Sequence, residues 1–197
     1  MVEQFFSGIL AGIFVSLAGG AYLSIDNKIV GAVAFTIGLF SVCYYGANLY
    51  TGRVGYLFEK KEGKWASLGA GLVGNIMGTL LVGLLLSTMK KEAAQALCQA
   101  KLELPAAQIL IRAIFCGMLM YIAVNLYRDK KTVIGIALGV PVFILSGFEH
   151  SIADMFYFFT AGILSGRMML FILIALLGNG IGGLLMDRLL FYAGLKK

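Results

Sequence analysis

The sequence is poor in the residues that a soluble enzyme needs. Only 13% of its 197 residues are charged, against about 25% in an ordinary globular domain. It contains one histidine, two prolines and three cysteines, and no two cysteines form a C-x-x-C pair. This inventory supports neither a zinc site, nor a disulfide framework, nor a hydrolytic centre. We therefore expect no cofactor and no enzymatic activity.

The sequence is rich in hydrophobic residues. Hydrophobic residues make up 60% of it, and the mean hydropathy is +0.90. A soluble domain of this length could not bury so much, so the composition predicts a single integral membrane domain. The first apolar run begins at Phe5 without a signal-peptidase site, and we expect it to be retained as a span. The net charge of +6 lies in loops and indicates topology rather than nucleic-acid binding.

Hydrophobic runs predict six membrane spans, of which four have the usual length. A bilayer core of about 30 Å is crossed by about 20 helical residues. The four simple spans are Phe5–Leu23, Ala66–Met89, Ala106–Tyr127 and Met168–Met186.

The other two runs, Ile29–Phe58 and Thr132–Gly166, are too long for one straight helix. Helix tilt absorbs only a few extra residues. Non-helical backbone at membrane depth is tolerated where it is buried or lines a cavity. We therefore predict that both runs are interrupted, at the glycine-containing and polar segments Gly46–Gly52 and Ser146–Ser151.

Polar segments predict loops at Ser24–Lys28, Glu59–Lys64, Lys90–Glu103, Arg128–Lys131 and around Arg167. The charges of these loops predict the orientation, and Arg53 is assigned to neither side. Six spans place both termini on one side, and that side receives more lysine and arginine than the other, which favours cytoplasmic termini in an inner membrane. The positive residues on the side of the termini are Lys60, Lys61, Lys64, Arg128, Lys130, Lys131, Arg188, Lys196 and Lys197.

The two halves of the chain, 1–104 and 105–197, resemble each other. The sequence from Gly74-Asn75 to Gly78 recurs as Gly178-Asn179 to Gly182. Three spans per half force opposite orientations, so we predict an inverted repeat with its site near the midplane. The glycines themselves are typical of close helix packing in lipid.

Three ionisable residues, Glu149, His150 and Asp154, lie inside the second overlong run. A charge at the bilayer centre costs about 2.5–3.5 kcal/mol on insertion scales, so these groups should not face lipid. One interpretation is that they satisfy each other and the freed backbone at the break. The functional interpretation is that His150 lines a pore or relays protons, because histidine titrates nearest physiological pH. We expect Glu149 to be a structural partner, since a carboxylate in an anion path would repel the anion.

Three segments resemble the formate/nitrite transporter family. The run Phe35-Thr-Ile-Gly-Leu39 through Gly46-Ala-Asn-Leu49-Tyr50-Thr51-Gly is similar to the family's second span. The run Ser146-Gly-Phe-Glu149-His150-Ser-Ile-Ala is similar to its fifth-span motif, and Gly178-Asn179-x-Ile-Gly-Gly to its sixth. The resemblance implies an all-α, aquaporin-like fold, a homopentamer with one pore per protomer, and passage of formate, nitrite, hydrosulfide or lactate.

The resemblance also implies roles for individual residues. His150 would be the central pore histidine, with Thr51 and Asn179 as its hydrogen-bonding neighbours. Lys131, or less closely Lys130, would match a vestibule lysine that attracts anions. The apolar constrictions would be formed by Phe35, Leu39, Leu49, Tyr50 and Phe143. Two residues depart from the family pattern: Asp154 stands where the family has asparagine, and Tyr50 replaces phenylalanine.

We therefore expect a channel or transporter for small anions of weak acids, whose partners are the bilayer, the anion and other copies of the chain, but not nucleic acid. A neutral-solute channel is an alternative, although it would be expected to carry paired Asn-Pro-Ala motifs, and none occurs. A proton-coupled cation carrier using Glu149 and Asp154 is a second alternative. A membrane assembly subunit without transport is a third.

Overall fold

The computed structural model describes residues 1–59 and 64–196. The regular elements in these ranges are nine α-helices and one short 3-10 turn, Val54–Tyr56, that follows α4. The helices are α1 (Val2–Ser24), α2 (Lys28–Ala34), α3 (Thr36–Tyr45), α4 (Tyr50–Arg53), α5 (Lys64–Leu102), α6 (Ala106–Lys130), α7 (Ile134–Leu145), α8 (Ser151–Ala161) and α9 (Gly166–Tyr192). Most of the predicted loop Glu59–Lys64, with Lys60 and Lys61, lies outside the described residues, as does Lys197.

Five helical stretches in the described part of the chain are long and apolar enough to cross a membrane. They are α1, the nearly continuous pair α2 and α3, then α5, α6 and α9. Helix α7 is apolar but shorter. The outer faces of these helices are apolar, as shown by exposed leucines such as Leu84, Leu85, Leu173 and Leu177. A surface of this kind is expected where the solvent is lipid.

Both predicted interruptions are present, and both are short. The first separates α3 from α4 at residues 46–49, and the second separates α7 from α8 at residues 146–150. A glycine with positive φ ends the helical path at each: Gly46 has φ of 65° and Gly147 has φ of 66°. Only glycine adopts this left-handed conformation without a steric cost, so the helix ends there.

The third predicted span was too short. It was expected to end at Met89, with residues 90–103 forming a polar loop, but α5 continues to Leu102. This segment is rich in Ala, Gln, Leu, Lys and Glu, which all favour helix. Its inner face is also buried: Ala94 and Cys98 have no exposed surface, and the Gln95 side chain donates to the carbonyl of Ala161 at the end of α8.

Glycines bring two helix pairs into close contact. Helix α5 packs on α1, and α9 packs on α6. A Cβ added to Gly78 would overlap the carbonyl oxygen of Ile9, and one added to Gly182 would overlap that of Ile114. The small-residue pattern in the two halves therefore serves packing, as predicted.

Candidate pore site

The second interruption is held by the side chain of Asn179 on α9. Its amide nitrogen donates to the carbonyls of Ala113 on α6 and Glu149 in the break, both at 2.8 Å. Its carbonyl oxygen accepts from the backbone N–H of Ser151 at 2.9 Å. The bonds to Glu149 and Ser151 satisfy backbone groups that the interrupted helix leaves without partners, which would be costly at membrane depth, and the bond to Ala113 ties the break to α6.

Asn75 on α5 makes the same set of bonds at the first interruption. It donates to the carbonyls of Gly8 on α1 and Asn48 in the break, both at 2.9 Å. It accepts from the N–H of Tyr50, also at 2.9 Å. The two halves thus use equivalent asparagines on equivalent helices to hold equivalent breaks.

The imidazole of His150 lies where the two breaks meet. Its Nε2 is 2.8 Å from Oγ1 of Thr51, which lies in α4 just after the first break. Its Nδ1 accepts a hydrogen bond from the backbone N–H of Ala153 at 3.1 Å. Since Nδ1 is an acceptor, the neutral ring carries its proton on Nε2 and donates it to Thr51. The ring is 3% exposed, so it is almost fully enclosed.

A wide cavity of about 470 Å³ opens on one side of this pair. Its lining includes Gly52, which follows Thr51 in the chain, and Leu49, which lies two residues before it. Among the described residues, its charged lining consists of three cations and one acid: Arg53, Lys64, Arg128 and Glu59. Arg53 donates to the carbonyl of Gly46 in the break at 2.8 Å. The lining therefore has an excess of positive charge.

A narrow cavity of about 90 Å³ reaches His150 from another direction. Phe35 and Phe143 line it with the imidazole. The two phenyl rings meet edge to face with centroids 5.9 Å apart, and the Phe143 centroid is 5.7 Å from that of His150. Aromatic rings of this kind form a tight apolar wall beside the polar ring.

The charged groups on the narrow cavity are Lys101 and Asp154. Lys101, at the end of α5, donates to Glu149 and lies 2.9 Å from Oδ1 of Asp154. Arg112 on α6 is a more distant partner, with Nη1 3.9 Å from Oε1 of Glu149. Glu149, next to His150 in the chain, and Asp154, four residues after it, therefore share Lys101.

A family model of the formate/nitrite transporters matches residues 1–193. The chain belongs to the formate/nitrite transporter family. The members of this family are membrane transporters and channels, so the chain is a multi-pass membrane protein of that class rather than an enzyme.

Individual relatives agree with this assignment. The uncharacterized transporter YrhG of Bacillus subtilis (strain 168) is 30% identical, over 96% of this chain and 84% of that protein. The formate channel FocA of Escherichia coli (strain K12) is 29% identical over 79% of this chain; the match covers 65% of FocA, just under two thirds of its length. A solved pentameric formate channel with formate bound has a TM-score of 0.79 at 21% identity, covering 98% of this chain and 95% of that one. The structural likeness shows a shared fold.

The structure brings together several of the residues that the family resemblance singled out. The narrow cavity is lined by Phe35, Phe143 and His150, and Thr51 is bonded to His150. The wide cavity is lined by Leu49. Glu149 is a structural partner, but its partner is Lys101 rather than His150. Asn179 bonds the backbone on both sides of His150, and none of its hydrogen bonds in the described part of the chain reaches the imidazole. Its direct bonds clamp the break, and its place as a hydrogen-bonding neighbour of His150, directly or through one water, stays a prediction.

Three other predicted residues lie away from the cavities. Leu39 is buried in the core without lining either cavity. The hydroxyl of Tyr50 donates to the carbonyl of Leu176 on α9 at 3.0 Å, so it is occupied in a helix contact. Lys131 is exposed at the end of α6, has φ of 53° and lines neither cavity.

Sequence reasoning missed Lys101 and left Arg53 unassigned. Lys101 was placed in a loop because residues 90–103 are polar. A helical pattern was nevertheless available, since Ala94, Cys98 and Lys101 fall on one face of a helix that is extended beyond Met89. Arg53 follows the first break by one turn of helix, and no local pattern indicated that it would line a cavity.

Proposed function

We propose that this protein conducts small monovalent anions of weak acids, of the formate, nitrite or hydrosulfide class, through a pore inside each protomer. The observation that carries the proposal is the position of His150. It is bonded to Thr51, and it also lines the narrow cavity itself, while Leu49 and Gly52 on either side of Thr51 line the wide cavity. The proposed path runs from one cavity past the imidazole to the other.

The charge of the cavities favours an anion over a cation. In the described part of the chain the wide cavity presents Arg53, Lys64 and Arg128 against a single acid. An excess of one sign in a cleft with apolar walls raises the local concentration of the opposite ion. The rival cation carrier would need Glu149 and Asp154 as ion ligands, but both carboxylates are already occupied by Lys101.

The apolar wall sets the barrier that such an anion must cross. Leaving water is costly for a bare charge, and a constriction formed by Leu49, Phe35 and Phe143 offers it no replacement ligands. The conjugate acid of a weak-acid anion is neutral and avoids this cost. The proton comes from water in the cavity, and neutral His150 can stabilise the acid as a hydrogen-bond donor through Nε2, since Nδ1 accepts from the N–H of Ala153.

The proposed assembly follows from the fold and the repeat. We infer six spans, formed by two inverted repeats of three, with α7 and α8 together making the fifth span. The paired asparagine clamps support this, because equivalent bonds at equivalent breaks are expected of a duplicated unit. A homopentamer in the inner membrane with cytoplasmic termini is proposed by analogy with the pentameric neighbour and from the loop charges.

Flux measurements on purified protein in liposomes test the proposal. Formate, nitrite, hydrosulfide and lactate are compared as sodium salts, with glycerol as a neutral solute and sodium flux itself as the cation control. We expect one or more of the anions to cross far faster than sodium or glycerol. Fast sodium flux would support the cation carrier, fast glycerol flux the neutral-solute channel, and no flux a role in assembly.

A further inference from the structure

Asp154 is an acidic residue on the narrow cavity that the proposed pathway does not use. Its carboxyl group is buried, with 2% of the side chain exposed, and Oδ1 lies 2.9 Å from Nζ of Lys101. The second oxygen, Oδ2, is buried without a hydrogen-bond donor among the described residues. Because a buried carboxylate oxygen without a donor is costly, the ionised form of Asp154 is poorly satisfied here.

The charges of the groups around Asp154 also disfavour its ionised form. Glu149 is as buried as Asp154, and the two acids share Lys101, whose side chain is 14% exposed. With both acids ionised, this buried group of three has a net charge of −1. Arg112 does not correct this, because it is 38% exposed, lies 3.9 Å from Glu149 and makes no ion pair with Asp154. Two buried carboxylates that share one cation are therefore expected to hold one proton between them.

The remaining groups around Asp154 are neutral and add no compensating cation. Within the described residues they are Tyr22 of α1, Cys98 of α5, Cys116 of α6, His150 in the second break and Tyr157 of α8. The narrow cavity is lined by Asp154 and His150 together, so a charge on the carboxyl group is felt by an anion at the imidazole.

We infer that Asp154 holds an exchangeable proton on the wall of the narrow cavity, and that anions pass His150 when this carboxyl group is protonated and are repelled when it is ionised. The inference rests on the proposed function. The proton moves between the carboxylate and the water of the cavity, and no other group changes its chemical state. Acidification of the side that the narrow cavity faces should therefore increase anion flux beyond the increase due to the anion's own protonation.

The isosteric variant Asp154→Asn tests this, with the exposed Asp26→Asn as the matched control. Formate flux into liposomes is measured at a series of pH values between about pH 5 and pH 8, the range in which histidine and buried carboxyl groups titrate. At each pH the variant is compared with the parent, so that the protonation of formate itself cancels. We expect the ratio of variant to parent to be near one at the acid end and to rise about tenfold at the alkaline end. Asp26→Asn should give a ratio near one throughout.

A ratio that stays constant with pH would overturn the inference, while leaving the anion channel intact. Absence of flux in the folded parent would instead overturn the proposed function. Infrared spectroscopy of the parent, with ¹³C-labelled aspartate, keeps the inference testable if Asp154→Asn does not fold. A protonated aspartic acid band that is lost as the pH is raised supports it. Absence of such a band across the whole range contradicts it.

Discussion

Replacing Asn179 by alanine should destabilise the fold more than any comparable change on the outer face of α9. The side chain makes three buried hydrogen bonds to the backbone, at 2.8, 2.8 and 2.9 Å. Its loss leaves the carbonyl of Glu149 and the N–H of Ser151 at the break without a partner, whereas the carbonyl of Ala113 keeps its bond within α6. A buried polar group without a partner costs about 1–3 kcal/mol, so the expected loss is about 2 kcal/mol even at the low end.

The assay is the thermal unfolding of purified protein in detergent. For a chain of about this length, a loss of about 2 kcal/mol corresponds to a fall in the melting temperature of about 4–8 °C. Asn75→Ala should give a fall of similar size, because Asn75 makes the equivalent bonds. The control is Leu177→Ala on the same helix, where the side chain is 64% exposed to the lipid side. The reasoning is refuted if Asn179→Ala melts at the same temperature as this control.

Other variants test the roles of residues in the pathway. His150→Asn should fold but change the pH profile of anion flux, measured in liposomes; an unchanged profile would mean that the imidazole is only structural. Thr51→Val removes the partner of Nε2 and should alter the same profile without loss of assembly, measured alongside it. Lys101→Gln should lower anion flux and also destabilise the protein by about 3–5 kcal/mol, because two buried carboxylates lose their shared cation. Lys131→Gln should change neither the flux nor the melting temperature by much. A larger loss of flux in Lys131→Gln than in Lys101→Gln would support the vestibule role that the family resemblance implies for Lys131.

The spans and the breaks could be predicted from the sequence because both follow from local constraints. Run length and hydropathy identify a membrane helix, and an overlong run with midspan glycine, such as that around Gly46, cannot cross the bilayer as one straight helix. The end of α5 could not be found in this way. Hydropathy falls after Met89, but the helix continues because tertiary packing buries Ala94 and Cys98.

The site was predicted only in part, for a related reason. Family resemblance identified His150 and Thr51, whose contact joins the two halves of the chain. Glu149 is paired with Lys101, which lies 48 positions earlier in the chain at the end of α5. A contact between residues so far apart in the sequence cannot be predicted from a local pattern. The backbone bonds of Asn179 could not be predicted, because a side chain near a histidine can bond either to the ring or to the backbone beside it, and only coordinates distinguish these.

The central claim is that the anion passes through the protomer, between the wide cavity and His150, and blocking this route tests it most directly. Gly52 lies on the inner wall of the wide cavity beside Thr51. A Cβ there would be 3.5 Å from Val124 and 3.9 Å from Leu49, which are ordinary contacts, so a side chain can be added without a clash at its base. Gly69 is the matched control, since a Cβ there has nothing within 4 Å.

The measurement is formate flux into liposomes for Gly52→Leu and Gly69→Leu, with equal amounts of folded protein confirmed by gel filtration. The account predicts that Gly52→Leu lowers flux by about tenfold or more, because the added apolar side chain narrows and dries the path, whereas Gly69→Leu conducts like the parent. Parent-level flux through folded Gly52→Leu would contradict the account, because the anion would then be crossing somewhere other than past His150.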